Sequence, residues 1–408
     1  MGGYPVPEPR PPAMRVLFVS PVPTHPPVAG NRSRVQRIAA DLRAAGHEAH
    51  LLFVPDAPAD LDAMRLWWED RLRVAPNPRP PFRNPLRFRL LDRLTFGQVM
   101  GPRFQYLSDI DAFISAQLEE RVAQVARELA PDAVIVTYPF YSRLLELFDG
   151  RTFKLLDSQD RFSRRHWLQW RHRLRSRFVA MAARQERRAL ERADLVLAIQ
   201  EEERSTFGRL AATPVVVLGH RVDLQRLAPA DGAPRLGFVG SDNGPNVRGM
   251  NWFMRRVLPG LRRRFADLEL LLAGPICTCP GLRPVPGVRL LGTIDDLVKL
   301  YEQVHVAVNP AFAGSGLHVK NLEILGYGRP LVMTPSAARG IRDGAGRAYR
   351  VARSARDFQR EIARLLVDRD AAERLAGEAF AFARRYDERA RDQVGAILAR
   401  AEAFHRPA

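Results

Sequence analysis

The chain has almost no cysteine and almost no lysine. Its two cysteines, Cys277 and Cys279, stand one residue apart. That spacing gives poor disulfide geometry and too few ligands for zinc. A disulfide scaffold and a zinc module are therefore excluded, and a reducing, cytoplasmic compartment is expected. The histidines form no metal-ligand spacing, and neither a metal nor a cofactor is expected. Lysine occurs only at 154, 299 and 320, so arginine carries nearly all the positive charge. No run of 18 apolar residues occurs, which leaves no transmembrane helix to expect. The opening MGGYPVPEPRPPA lacks the apolar core of a secretory signal and reads as a flexible tail over residues 1–13.

What is present indicates a globular protein. At 408 residues and 46% hydrophobic composition the chain is long enough for two domains with separate cores. The formal net charge is +18. One reading is compositional: an arginine bias of a GC-rich genome, displayed on a solvated surface. The other is functional: attraction to anionic lipid, a nucleotide donor or a lipid-phosphate acceptor. Against that arginine background, Lys320 stands out as a compact point charge.

Residues 14–20 (MRVLFVS) form an apolar, β-branched run. A helical pattern follows from about Arg32 to Ala45, with Val35, Ile38, Ala39 and Leu42 at helical spacing, and Glu48–Val54 is the next strand. This is a βαβ opening of a doubly wound α/β domain. PDAVIVTYP (131–139), TFKLLDSQD (152–160), ADLVLAIQ (193–200) and TPVVVLGH (213–220) continue it. GAPRLGFVG (232–240) restarts the grammar, followed by a polar loop SDNGPNVRG and a helix over Met250–Arg264. LELLLAG, VRLLG, VHVAVNP and PLVMT then read as strands, and the run from about Ala371 as helices.

AGSGLHVKNLEILGYGRPLVMT (313–334) carries the clearest chemical signal. Gly314 and Gly316 open it, a helical run from about Leu317 to Gly326 follows, and Gly328-Arg329-Pro330 stops it. Glycines before a helix let backbone N–H groups approach an anion, and the helix N-terminus is electropositive. A diphosphate suits that N-terminus and Lys320 suits the diphosphate. Glu323, three residues on and on the same face, is placed to hold sugar hydroxyls. Taken alone, Glu323 reads equally as an acid complementing the helix dipole. Ser315, Leu317 and His318 are neighbours of the same site.

This segment resembles the donor-binding segment of the retaining group 1 glycosyltransferases. That family has the GT-B fold, two Rossmann-like domains facing a cleft, with the last helix crossing back to the first domain. The resemblance implies a hexosyl transfer from a nucleotide-sugar to a hydroxyl acceptor, and Glu323 at the donor ribose. Many members have a second glutamate eight residues earlier; Ser315 stands there, which leaves the donor sugar open. FVGSDNGPNVRGMNWF resembles the family's first donor-domain loop, with Gly240, Asn246 and Arg248 as donor neighbours. For Arg248 a solvated loop arginine and a diphosphate contact both remain open. Gly30 and Arg34 match the family's first-domain loop and arginine-bearing helix, which face the cleft. Asp157 and Asp160 project from the end of a buried strand. One is expected to cap the next helix and the other, Asp160, to serve the reaction. The implied organisation is a tail (1–13), an acceptor domain (14–220), a donor domain (221–385) and a returning helix (386–408).

A two-Rossmann sugar epimerase or phosphorylase is the alternative enzyme class; a phosphorylase needs a pyridoxal lysine, and only three lysines exist. A nucleic-acid binder is disfavoured because the arginines spread over both halves and no binding motif occurs. The arginine-rich helix Arg161–Arg192 and residues 79–104 interleave aromatics with arginine. They read as solvated helices or as a peripheral contact with an anionic membrane.

Overall fold

The computed structural model describes residues 13–26, 30–56, 58–79, 84–94, 105–171, 179–294, 296–314 and 316–405. In chain order the strands are β1 (Arg15–Ser20), β2 (Glu48–Phe53), β3 (Leu72–Val74), β4 (Gln105–Leu107), β5 (Ala133–Thr137), β6 (Phe153–Asp157), β7 (Val179–Met181), β8 (Leu195–Ala198) and β9 (Val215–Val217). Then follow β10 (Arg235–Val239), β11 (Glu269–Ala273), β12 (Val288–Leu290), β13 (Val306–Asn309), β14 (Leu331–Met333) and β15 (Arg350–Val351). Near-continuous apolar runs such as LLF and AVIV are what a parallel strand covered on both faces requires.

Among the described residues two large parallel sheets result, beside a two-stranded parallel sheet of β4 and β7. The first has the order β3-β2-β1-β5-β6-β8-β9 and the second β12-β11-β10-β13-β14-β15. Alternate residues of one strand feed opposite cores. Leu17 and Val19 pack on one face of the first sheet, Val16 and Phe18 on the other. In the second sheet Leu271 and Ala273 lie on one face, Leu270 and Leu272 on the other. This is the two-Rossmann GT-B architecture. Each sheet reverses its winding beside its first strand, between β1 and β5 and between β10 and β13. Ligands of open α/β sheets bind outside the strand ends at such points.

The last helix, Arg369–His405, runs unbroken for 37 residues. Its Phe382 and Ala383 pack in the second-sheet core, and its Val394 and Ala401 in the first. Phe404 meets Phe153 at 5.2 Å, and His405 Nε2 donates to the Asp132 carbonyl at 2.9 Å. The helix therefore returns to the first half and ties the two sheets together. Residues 1–12 of the expected tail lie outside the described residues.

Two expectations need correction. The helix after β10 starts at Gly244, not Met250. Asn243 caps it, accepting from Asn246 N at 3.0 Å, and Pro245 suits the first turn because it has no N–H to lose. Asn246 and Arg248 are thus helical, and a second helix, Leu258–Arg264, completes the run. Arg161–Arg192 is likewise not one helix. Helices Arg165–Arg171 and Ala183–Leu190 flank β7, which pairs in parallel with β4 and buries Ala180 and Met181. The strand itself, Val179-Ala180-Met181, holds no arginine, and pairing with β4 and burial fix it as a strand within the arginine-rich run.

Gly237, in the middle of β10, has no room for a side chain: an added Cβ would stand 2.5 Å from Val304 Cγ2. Gly237→Ala is expected to destabilise the protein by about 1–3 kcal/mol through overpacking, and Val304→Ala in the same chain to recover part of the loss. Urea unfolding of the two variants checks both.

Candidate active site

On the first-half side, Arg34 projects from the helix Gly30–Ala44, which follows β1. Its Nε donates to both Asp157 oxygens at 3.1 Å, and its terminal nitrogens to Asp157 Oδ1 at 2.9 Å and to the carbonyls of Leu218 (2.8 Å) and Gly219 (3.1 Å). Gln159 adds a 2.6 Å bond to Asp157 Oδ2. Both members of the pair are 1% exposed. Arg34 and Asp157, expected at the cleft, are brought together as a buried brace under its floor, and neither caps a helix.

Asp160 lies three residues further along. It accepts from Arg161 N at 2.8 Å and pairs with Arg165 at 2.9 Å. Its carboxylate stands 3.5–3.7 Å from where a Cβ on Gly316 would be, so it faces the glycine loop of the opposite half. Tyr138, Gln159 and Arg164 all take positive φ (74°, 62° and 59°) around these strand ends. Such backbone strain in non-glycine residues gathers at functional sites. Burial pushes the Tyr138 hydroxyl up to about 12, and Asn31 Nδ2 donates to it at 3.1 Å.

On the second-half side, Gly240 ends β10. A Cβ there would meet Phe238 at 2.5 Å and Asn246 Nδ2 at 3.2 Å. Lys320 Nζ donates to Asn246 Oδ1 at 3.0 Å and lies 4.2 Å from the Phe238 ring centroid. Residues 74 apart in the chain thus converge beside the N-terminus of the helix Val319–Gly326. Burial pushes Lys320 down to about 7, opposed in part by Glu323. Burial raises Glu323; Arg37 and Lys320 oppose that, and Asp223 adds to it. Arg37, from the first-half helix, pairs with Asp223.

The glycine loop is held from below. Arg339 donates to the Gly314 carbonyl at 2.6 Å, and Asn309, at the end of β13, donates to Asn321 Oδ1 at 2.8 Å. His318 stands at the helix cap, pushed down to about 3 by burial and by the charges of Lys320 and Arg339, so it is neutral. Leu317 packs toward Gly340, where a Cβ would come within 2.8 Å of it. Arg248 is exposed on the helix Gly244–Arg256. Ser315 lies outside the described residues.

The two halves touch at defined places. A Cβ on Gly30 would stand 2.8 Å from Val319 Cγ2, so only glycine lets the two helix starts approach. Glu202 pairs with Arg342 (3.0 Å) and Arg339 (3.6 Å). Sequence reading missed Glu203, a buried acid whose pKa is raised well above the ordinary range by burial and by the charge of Asp160. Its place in the run Glu201–Glu203 reads as a solvated helix start, and no local signal marks it as buried. His220 is buried beside Ser33 Oγ at 3.5 Å, its pKa held well below the ordinary value by burial and by Arg34 and Arg37. Among the described residues no three His, Cys, Asp or Glu side chains gather as a metal-holding group.

A family model described as "Glycosyl transferase 4-like domain" matches residues 29–220, and one described as "Glycosyl transferases group 1" matches residues 233–368. No curated protein matches the sequence. Among solved structures, HepE of Anabaena in complex with UDP and glucose superposes with a TM-score of 0.64 at 16% identity, over 95% of this chain and 99% of its own. Sucrose-phosphate synthase of Thermosynechococcus elongatus gives 0.64 at 13% identity, over 95% and 99%. A glycosyltransferase of Rickettsia africae gives 0.65 at 11% identity, over 97% and 100%.

Two outcomes are expected from this geometry. Arg34→Met leaves Asp157 buried without its partner and should cost about 3–5 kcal/mol, with Asp157→Leu in the same chain restoring part; denaturant unfolding measures both. A diphosphate that binds charged Lys320 will raise its pKa. Nucleoside diphosphate binding near pH 7.5 should therefore take up a proton, and affinity should fall as pH rises above about 7. Calorimetry in buffers of different ionisation enthalpy reads the uptake directly; Lys320→Met should abolish it.

Proposed function

The chain belongs to the group 1 glycosyl transferases, and we propose that it moves a sugar, with retention of configuration, from a nucleoside diphosphate donor to a hydroxyl acceptor. The observation that carries this reading is the convergence of Lys320, Asn246 and Gly240 at a helix N-terminus, with Glu323 one turn further in and Asp160 facing them across the cleft. The donor diphosphate lies against the glycine loop and Lys320. Glu323 takes the ribose hydroxyls, and the acceptor rests against the first half. HepE was solved with UDP and with UDP-glucose, which makes a uridine donor the first to try.

In the transfer, the bond from the anomeric carbon to the β-phosphate oxygen breaks and the bond to the acceptor oxygen forms. The acceptor proton passes to the departing phosphate oxygen, so no separate general base is needed. Charged Lys320 and the helix N-terminus stabilise the negative charge that builds on the leaving group. Asp160, fixed by Arg165, lies on the side from which the acceptor approaches and orients it or the donor sugar. Closure of the halves across the Gly30–Val319 and Glu202–Arg339 contacts excludes water. Among the described residues no helix is long and apolar enough to cross a membrane. A cytoplasmic enzyme in peripheral contact with an anionic membrane, acting on a lipid-linked glycan, an exopolysaccharide intermediate or a small metabolite, fits the excess of arginine.

Thermal unfolding with a panel of nucleoside diphosphates and nucleotide-sugars tests the reading. At a ligand concentration of about 100 times Kd, binding should add about 2.7 kcal/mol of stability. One nucleotide is expected to raise Tm in the wild type and not in Glu323→Ala. Absence of a shift with every nucleotide would overturn the donor assignment.

A further inference from the structure

The short helix Leu86–Leu94 turns three leucines to its exposed side. Leu86, Leu90 and Leu94 are 62%, 48% and 78% exposed. At about 100° per residue they fall within roughly 80° of one another and form one stripe. Arg87 flanks the stripe on one side and Arg89 and Arg93 on the other, all exposed. Phe88, on the opposite side of the helix, is buried. It stacks on Tyr106 at 4.1 Å and meets His166 edge-on at 5.5 Å. A surface helix of a globular protein turns its apolar stripe to the core; here Phe88 packs inward while Leu86, Leu90 and Leu94 face out.

On the Phe88 side of the helix the contacts lead toward the candidate site. His166 contacts the Trp167 ring at 5.4 Å, and Trp167 is 56% exposed. Arg165, the preceding residue, holds Asp160 at 2.9 Å. The helix that bears the leucine stripe is therefore joined, through Phe88 and the consecutive residues Arg165, His166 and Trp167, to the edge of the candidate active site.

We propose that the helix Leu86–Leu94, with Trp167, is a docking surface that lies flat on an anionic lipid bilayer. Charge complementarity selects this occupant. A bilayer offers an apolar interior to the leucines and phosphates at the level of the flanking arginines. A second copy of this chain would set arginine-flanked stripes against each other and bring like charges together. The inference deepens the membrane contact proposed above and does not depend on the donor. A hydroxyl acceptor anchored in the bilayer would reach Asp160 along the Trp167–Arg165 side.

The test is co-sedimentation of the full chain with vesicles of phosphatidylcholine, with and without about one third phosphatidylglycerol, at near-physiological salt. The wild type is expected on the anionic vesicles and not on the neutral ones. Leu86→Ser/Leu90→Ser/Leu94→Ser should lower the partition coefficient roughly a hundredfold. Arg87→Gln/Arg89→Gln/Arg93→Gln should lower it by a similar factor, at about fivefold per arginine. Arg256→Gln/Arg263→Gln/Arg264→Gln, in the second half, should leave it within about twofold of wild type. The nucleotide-induced Tm shift, read on the same proteins, reports the donor site and the fold separately. Vesicle binding by the leucine variant equal to wild type would overturn the proposal. So would equal loss in the second-half arginine variant, or sedimentation velocity showing a dimer that the leucine variant dissociates.

Discussion

The buried contact between Arg34 and Asp157 is the constraint on which the rest of the site depends. A guanidinium taken out of water needs partners for its N–H groups, and this one finds them on three separate pieces of chain. It fixes the helix after β1, the end of β6 and the carbonyls of Leu218 and Gly219, where the chain leaves the first sheet. From that exit Arg221 pairs with Asp387 at 2.7 Å, and Asp387 also accepts from Val222 N. Gly219 N donates to Gln393 at 2.8 Å. The crossing between the two halves is thus held by Arg34 on one side and by the long C-terminal helix on the other.

The facing half is built on a different principle. Its titratable side chains are held out of water beside the start of the helix Val319–Gly326. Lys320 is pushed down, Glu323 up and His318 down to neutrality, all chiefly by burial. A group held away from its preferred charge state gains when a ligand restores it. Under the proposed function a diphosphate at the helix start would do this for Lys320, since anion and ammonium would then stabilise each other. Burial disfavours charge of either sign there, so a preference for an anion rests on Lys320 and the helix N-terminus.

The fold was legible in the sequence because parallel strands buried on both faces have to be continuous apolar runs, and MRVLFVS, AVIVT, LVLA and ELLLA are such runs. The glycine pair, Lys320 and Glu323 were legible for a related reason: backbone approach, a helix N-terminus and a three-residue spacing are local geometry. Other features were not. Arg34 and Asp157 carry the residue types of a cleft pair, and only the packed structure puts them beneath the cleft. Glu203 reads as one of three solvated acids, and its burial depends on how the helix Glu201–Leu210 rotates against β8. The run Arg161–Arg192 has helical composition, yet pairing with β4 makes a strand within it.

By itself, then, the sequence determined the two α/β halves, most of the strands of the two large sheets, and the local pattern of glycines, Lys320 and Glu323 at a helix start, since each follows from interactions within a few residues. The tertiary structure alone decided which charges meet. Lys320 meets Asn246, Asp160 faces Gly316, Glu202 reaches Arg339, and three leucines of one short helix remain outside every core. These pairings join residues tens to hundreds of positions apart. Their energies depend on burial and on distances of a few ångströms, which periodicity and composition do not encode.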